Sequence, residues 1–295
     1  LDLDALWASN QVLAVSLCIA LLSPRFLGSP IAHSKREVIL PWLARKLELI
    51  ADIELLPVGV LHDLYMHCSY ADRADKHDIK KPINRLIQRK LQENKLFNIT
   101  QDEVVSRKVG DKPVLLVVLE WFGSSHSIYR THSLTIEGAK KYFHVVGMAY
   151  EHCVDSITRQ VFDEFISIDS NQGIIQQLTA IKKAATDINA QVCYMPSVGM
   201  FPLTMWLANL KVAPLQMMAL GHPATTHADA IDYVVVEEDY VGDPTCFSEK
   251  LLVLPKDGMP YRPSESAKAL NLSTKFNNEP SQVTIAVCAT TMKLN

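Results

Sequence analysis

The chain has 295 residues, 48% of them hydrophobic and 21% charged, enough for two average domains with a substantial core. Its 29 basic and 32 acidic residues leave a formal net charge of -3, which excludes a general attraction for nucleic acid or an acidic membrane surface. The six cysteines form no C-x-x-C pair, so reduced, buried thiols of a cytoplasmic protein are expected.

The opening "LDLDALW" is acidic and shows no secretory pattern. The most apolar run, "VLAVSLCIALL" (12–22), is shorter than the roughly 20 residues a bilayer span needs. It reads as a buried helix, broken at "SPRFLGSP" by Pro24, Gly28 and Pro30. "SKREVILPWLARKLELI" (34–50) has helical spacing, with Ser34 as a candidate N-cap. Residues 51–62 read as a strand or tight turn leading to His67 and a loop beyond. "HDIKKPINRLIQRKLQENK" (77–95) is a basic amphipathic helix, more simply a solvated face than a phosphate site.

From residue 113 the pattern alternates between apolar strands and helices. "PVLLVVLEWF", "HVVGMAY", "VFDEFISI", "QVCYMPS", "LQMMALG", "AIDYVVVEE", "SEKLLVLP" and "VTIAVCA" read as strands. "IEGAKKYF", "NQGIIQQLTAIKKAATDINA" and "MFPLTMWLANL" read as helices, the second with Asn171 as its candidate cap. Such alternation predicts a parallel sheet covered on both faces. Residues 259–282, rich in Pro, Ser and Asn, read as a linker.

In such sheets ligands bind beyond the carboxyl ends of the strands, so the loops there carry the search. "LHDLYMHCSY" offers His62, Asp63, His67 and Tyr70. If helical, it sets Asp63 and His67 four apart on one face, where a carboxylate and an imidazole can act as base and orienter. A half-buried turn with a hydrogen-bonded histidine accounts for it as well, and zinc would want a further ligand. "GSSHSIYRTHS" places His126, Arg130 and His132 after a small-residue turn. That suits an anion or a sugar, or simply a polar loop with solvent-facing histidines. "LGHPATTHADAIDYV" holds His222 between Gly221 and Pro223, facing either a ligand or solvent. Finally "IAVCATTMKLN" ends a strand in Thr290, Thr291 and Lys293. Backbone N–H groups and a cation there suit a diphosphate, although no P-loop glycines precede the lysine.

Taken together, "LHDLYMHCSY", "HSIYRTHS", "YMPSVGM", "APLQMMALGHPATTHADAIDYVVVEEDYVGDPTCFSEKLLVLPKD" and "ATTMKLN" closely resemble the bacterial cytoplasmic N-glycosyltransferases that modify high-molecular-weight adhesins. More distantly, the sequence is similar to the O-linked N-acetylglucosamine transferases, which share glycosyltransferase family 41. The resemblance implies the N-terminal Rossmann-like half of a GT-B glycosyltransferase, an α/β fold, preceded by an all-α segment. It implies residues 1–50 as the end of the all-α part and 51–258 as the Rossmann-like domain. A linker over 259–282 and the start of a second GT-B domain at 283–295 would follow. The implied reaction is an inverting, metal-independent transfer of glucose or galactose from a UDP-sugar to asparagine in N-x-S/T sequons of an adhesin-type acceptor. No cofactor, nucleic acid or membrane span is implied.

The resemblance gives Asp63, His67 and His126 catalytic roles, with Asp63 the expected base. Tyr70, Arg130 and His222 would bind substrate, and Thr290, Thr291 and Lys293 the donor diphosphate. Trp121 and Gly123 depart from the more polar loop expected there. The ends of the chain suggest a fragment, expected to be inactive alone. The alternatives are an O-glycosyltransferase of the same family, marked by sugar on Ser or Thr, and a non-catalytic protein-binding fragment.

Overall fold

A computed structural model describes residues 2–26, 29–100, 112–219, 221 and 224–264. The first part is helical. Helix α1 (Leu3–Ser9) is capped by the Asp2 side chain, and α2 (Gln11–Leu21) by Asn10. Helix α3 (Pro30–Leu47) begins one turn before the expected Ser34. Ser29 Oγ accepts from Ala32 N there, and Pro30 supplies a pre-set φ at the first helical position. The segment expected as a strand or tight turn is instead a 3-10 turn, Ile53–Leu55, followed by helix α4 (Val58–His67). Leu61, Leu64 and Tyr65 are buried at helical spacing, and that stripe overrode the short apolar run. A second 3-10 turn (Cys68–Tyr70) and helix α5 (Lys80–Glu93) complete the helical part.

Among the described residues seven strands follow: β1 (Val114–Val118), β2 (His144–Tyr150), β3 (Glu164–Ile168), β4 (Ala190–Met195), β5 (Leu215–Ala219), β6 (Tyr233–Glu237) and β7 (Lys250–Leu254). Helix α6 (Ser127–Ala139) joins β1 to β2, α7 (Ile174–Asp187) joins β3 to β4, and α8 (Pro202–Leu207) joins β4 to β5. The sheet order is β3-β2-β1-β4-β5-β6-β7, and every pairing is parallel. Asn171 does not cap α7, which starts at Gly173 without a side-chain cap.

Alternate residues of β1 feed two cores. Leu116 and Val118 pack with α7, α8 and the helices α2–α5. Leu115 and Val117 pack with α6 through Ile128, Tyr129 and Ile136. The period-two strand thus places the helical part on one face of the sheet and α6 on the other. Because connections from β1 run outward to β2 while β4 runs outward to β5, the order reverses between β1 and β4. In sheets of this kind the carboxyl ends of the two strands at such a reversal are where ligands bind.

Candidate functional site

Beyond the carboxyl ends of β1 and β4 the loops are joined by a buried carboxylate. Glu120 follows β1 and accepts from Ser197 Oγ (2.5 Å), Gly199 N (3.0 Å), Phe201 N (2.9 Å) and Thr204 Oγ1. One side chain therefore ties the loop after β1 to the loop after β4. Burial raises the Glu120 carboxyl above its usual range, while these donors pull against that. Gly199 sits at φ +110°, and a Cβ there would lie 3.2 Å from the Tyr65 ring of α4. Only glycine lets α4 approach the loop this closely.

Around this bolt the strand ends present aromatic rings. Trp121 is 39% exposed and lies 5.1 Å from Phe201, 6.3 Å from His126 and 6.0 Å from His152, between ring centroids. Tyr150 stacks on His152 at 5.6 Å. The aromatic residues of this ledge are spread over three strand-end loops, so no local motif announces it.

The structure unites two of the three described sequence candidates around the β4–α8 loop: α4 packs on Gly199, and the "GSSHS" turn reaches Phe201 through Trp121. On α4, Asp63 is half-buried with an oxygen 3.8 Å from His62 Nε2. His67 Nδ1 lies 2.8 Å from the Asp63 carbonyl oxygen, which only accepts, so Nδ1 carries the proton and Nε2 keeps its lone pair. The His67 partner is thus the backbone of Asp63, not the carboxylate. Burial, aided by nearby Arg36 and His62, keeps the His67 imidazole below its ordinary pKa. Tyr70 closes this side, its ring 5.7 Å from His67.

His126 has the opposite tautomer. It is the N-cap of α6, and its Nδ1 accepts from Ile128 N at 3.3 Å, which leaves the proton on Nε2. Burial and then the Arg130 charge hold it below the usual histidine value. At neutral pH the site offers a hydrogen-bond acceptor at His67 and a donor at His126. The "HSIYRTHS" stretch, expected as a loop, is the first two turns of α6. Its Arg130 guanidinium contacts the Tyr261 hydroxyl and covers that ring at 5.4 Å. His132, expected in solvent if the stretch were a loop, is buried.

The third candidate loop is clamped. Glu249 accepts from Thr225 Oγ1 (2.7 Å), Thr226 N (2.7 Å) and Thr226 Oγ1. Burial works to raise its carboxyl, but these donors win and hold it below its ordinary value. From the helices, Tyr65 Oη (2.7 Å) and Asn84 Nδ2 (2.9 Å) donate to Thr226 O, and Lys80 Nζ donates to Thr225 O at 2.7 Å. His222, Thr290, Thr291 and Lys293 lie outside the described residues. Among the described residues no cluster of three or more His, Cys, Asp or Glu has metal-holding geometry, and no helix is long and apolar enough to cross a membrane.

The described residues thus form an all-α part followed by a parallel, Rossmann-like sheet whose strand order reverses between β1 and β4. Residues 4–91 match the family described as HMW1 domain 2. Across all 295 residues the chain is a homologue, 42% identical, of the UDP-glucose:protein N-beta-glucosyltransferase of Actinobacillus pleuropneumoniae serotype 5b. The protein of that name from serotype 7 is likewise 42% identical over the whole chain. The chain spans about half, 47%, of the length of these relatives. Among solved structures, a Thermobaculum terrenum O-GlcNAc transferase variant aligns with 76% of this chain and 44% of its own, at 14% identity and a TM-score of 0.44.

Proposed function

We propose that this chain forms the acceptor-side half of an inverting, metal-independent glycosyltransferase of GT-B architecture, which moves glucose from UDP-glucose to asparagine in N-x-S/T sequons. The observation that carries the reading is the 42% identity to protein N-glucosyltransferases along the entire chain. The geometry supports it. The amide nitrogen of asparagine is a poor nucleophile because its lone pair is delocalised, so attack on the sugar's anomeric carbon needs a group that takes the departing proton. Asp63 is the proposed base, with the His67 Nε2 lone pair beside it on α4. His126 Nε2–H is a donor for the acceptor carbonyl or a donor phosphate oxygen, and Arg130 one turn further on carries a fixed positive charge. The leaving UDP takes the electron pair of the glycosidic bond. Thr290, Thr291 and Lys293 are proposed to meet its diphosphate, with His222 and Tyr70 beside the substrates.

The test is a transfer assay with UDP-glucose and a sequon peptide, read by mass spectrometry. The whole protein is expected to add one hexose to asparagine, and the 295-residue chain alone to add none. Hexose on Ser or Thr, or transfer by the chain alone, overturns this reading.

A further inference from the structure

The segment after β7 opens with "PKDG", residues 255–258, which is turn chemistry. Gly258 N donates to Pro255 O at 2.9 Å, Asp257 takes a left-handed φ of +59°, and a Cβ on Gly258 would lie 2.7 Å from that same carbonyl oxygen. Beyond the turn the chain runs back to the sheet and α6 as a strap. Met259 N donates to Glu237 Oε1 at the end of β6 (2.5 Å), and Arg262 N donates to Arg130 O on α6 (2.7 Å).

Arg262 is the latch of this strap. Its guanidinium carbon lies 5.5 Å from the centre of the Tyr129 ring, its Nε donates to Ser133 Oγ (2.8 Å) and its Nη2 to Glu137 (2.6 Å). Those three residues are i, i+4 and i+8 of α6, so one side chain is fixed along one stripe of the helix. The residue before it is thereby set on Arg130. The guanidinium carbon of Arg130 lies 5.4 Å from the centre of the Tyr261 ring, and the Tyr261 hydroxyl accepts from Arg130 Nη1. A long, many-rotamer side chain is thus held at two points by one residue. Among the described residues no carboxylate pairs with Arg130, so its charge is held in place without being neutralised. A carboxylate in the place of the phenol would also orient it but would cancel the charge. An oriented, uncancelled guanidinium suits an anionic group of a substrate.

We propose that Tyr261 is a positioning residue for Arg130 and that Arg262 latches it there, so that the strap after β7 presets the fixed positive charge of the site. That Arg130 meets a substrate rests on the functional reading above; the positioning rests on the geometry of the strap. The experiment has two arms. In the 295-residue chain labelled with 15N-arginine, NMR follows the Arg130 Nε–H, whose nitrogen is buried. Tyr261→Ala and Arg262→Ala are each expected to move that resonance and to speed its hydrogen exchange at least about tenfold. In the whole protein, Tyr261→Ala is expected to lower kcat/KM for glycopeptide formation at least about tenfold. Tyr261→Phe, which keeps the ring over the guanidinium, should fall between, and Tyr261→Ala added to Arg130→Gln should cost nothing further. Circular dichroism checks that the variants keep the fold. An Arg130 signal unchanged in both alanine variants, kcat/KM unchanged in Tyr261→Ala, or an equal loss from Tyr261→Ala with and without Arg130 each overturns the proposal. A whole protein that transfers no hexose removes the functional reading, and the NMR arm then decides the positioning by itself.

Discussion

At the scale of the residue, the imidazoles of His67 and His126 are set in opposite tautomers by backbone groups. His67 gives its Nδ1 proton to the Asp63 carbonyl, and His126 takes one from the Ile128 amide. Replacing Asp63 with Asn keeps the shape of α4 and removes the proposed base. In the whole protein this should cost at least about 100-fold in kcat for glycopeptide formation, with little change in KM for UDP-glucose. A third imidazole supplies a pH prediction. His132 has a folded pKa of about 4 against an ordinary 6.5. A depressed histidine binds protons more readily when unfolded, so its contribution is fully present above pH 6.5 and fades as pH falls towards 4. Between pH 7 and pH 5 the loss is about 2 kcal/mol, and His132→Phe should remove that part of the slope in urea unfolding at the two pH values. The sequence singled out His126 and Asp63 by residue type and spacing. It could not tell that His132 is inside, because six positions on the same helix face different surroundings and only the sheet decides between them.

At the scale of the element, loops are placed by buried carboxylates. Glu120 fastens the β4–α8 loop, and Glu249 fastens residues 225–226. Glu120→Ala leaves the Gly199 and Phe201 amides and two hydroxyls without their acceptor. It should destabilise the fold by about 3–5 kcal/mol in denaturant titration. Gly199→Ala should cost about 1–3 kcal/mol, since it combines a positive φ with contact against Tyr65. The strands were legible because β-branched and apolar runs of four to seven residues lie between helix-period segments, as at Val114–Val118 and Tyr233–Glu237. Helix α4 was not. Pro57 and Gly59 at its start mimic a turn, and its buried stripe is recognisable only once α8 and the Gly199 loop are packed on it. The aromatic ledge of Trp121, Tyr150, His152 and Phe201 was hidden for a related reason, since its members meet only through the strand order.

At the scale of the molecule, one core runs through both parts. Ile19, Leu43, Leu64 and Ile87 of the helices share it with Leu116, Met195, Leu207 and Val234 of the sheet and its cover. The two parts should therefore unfold together. Trp7 and Trp42 report on the helices, and Trp121 and Trp206 on the sheet. Their fluorescence and the far-UV circular dichroism should trace one coincident transition in urea; two separated transitions would contradict a shared core. The order of the strands also sets a timetable for synthesis. The interior strand β1 finds its outer neighbour β2 soon after both are made, but its inner neighbour is β4, so Leu116 must wait for Cys193. A nascent chain that has reached α7 carries β1 with a bare edge and, beside it, an apolar face whose covering helix α8 has yet to be translated. During that interval the growing polypeptide is sticky, and a chaperone that shields β1 until residue 207 leaves the ribosome should raise the yield of folded protein.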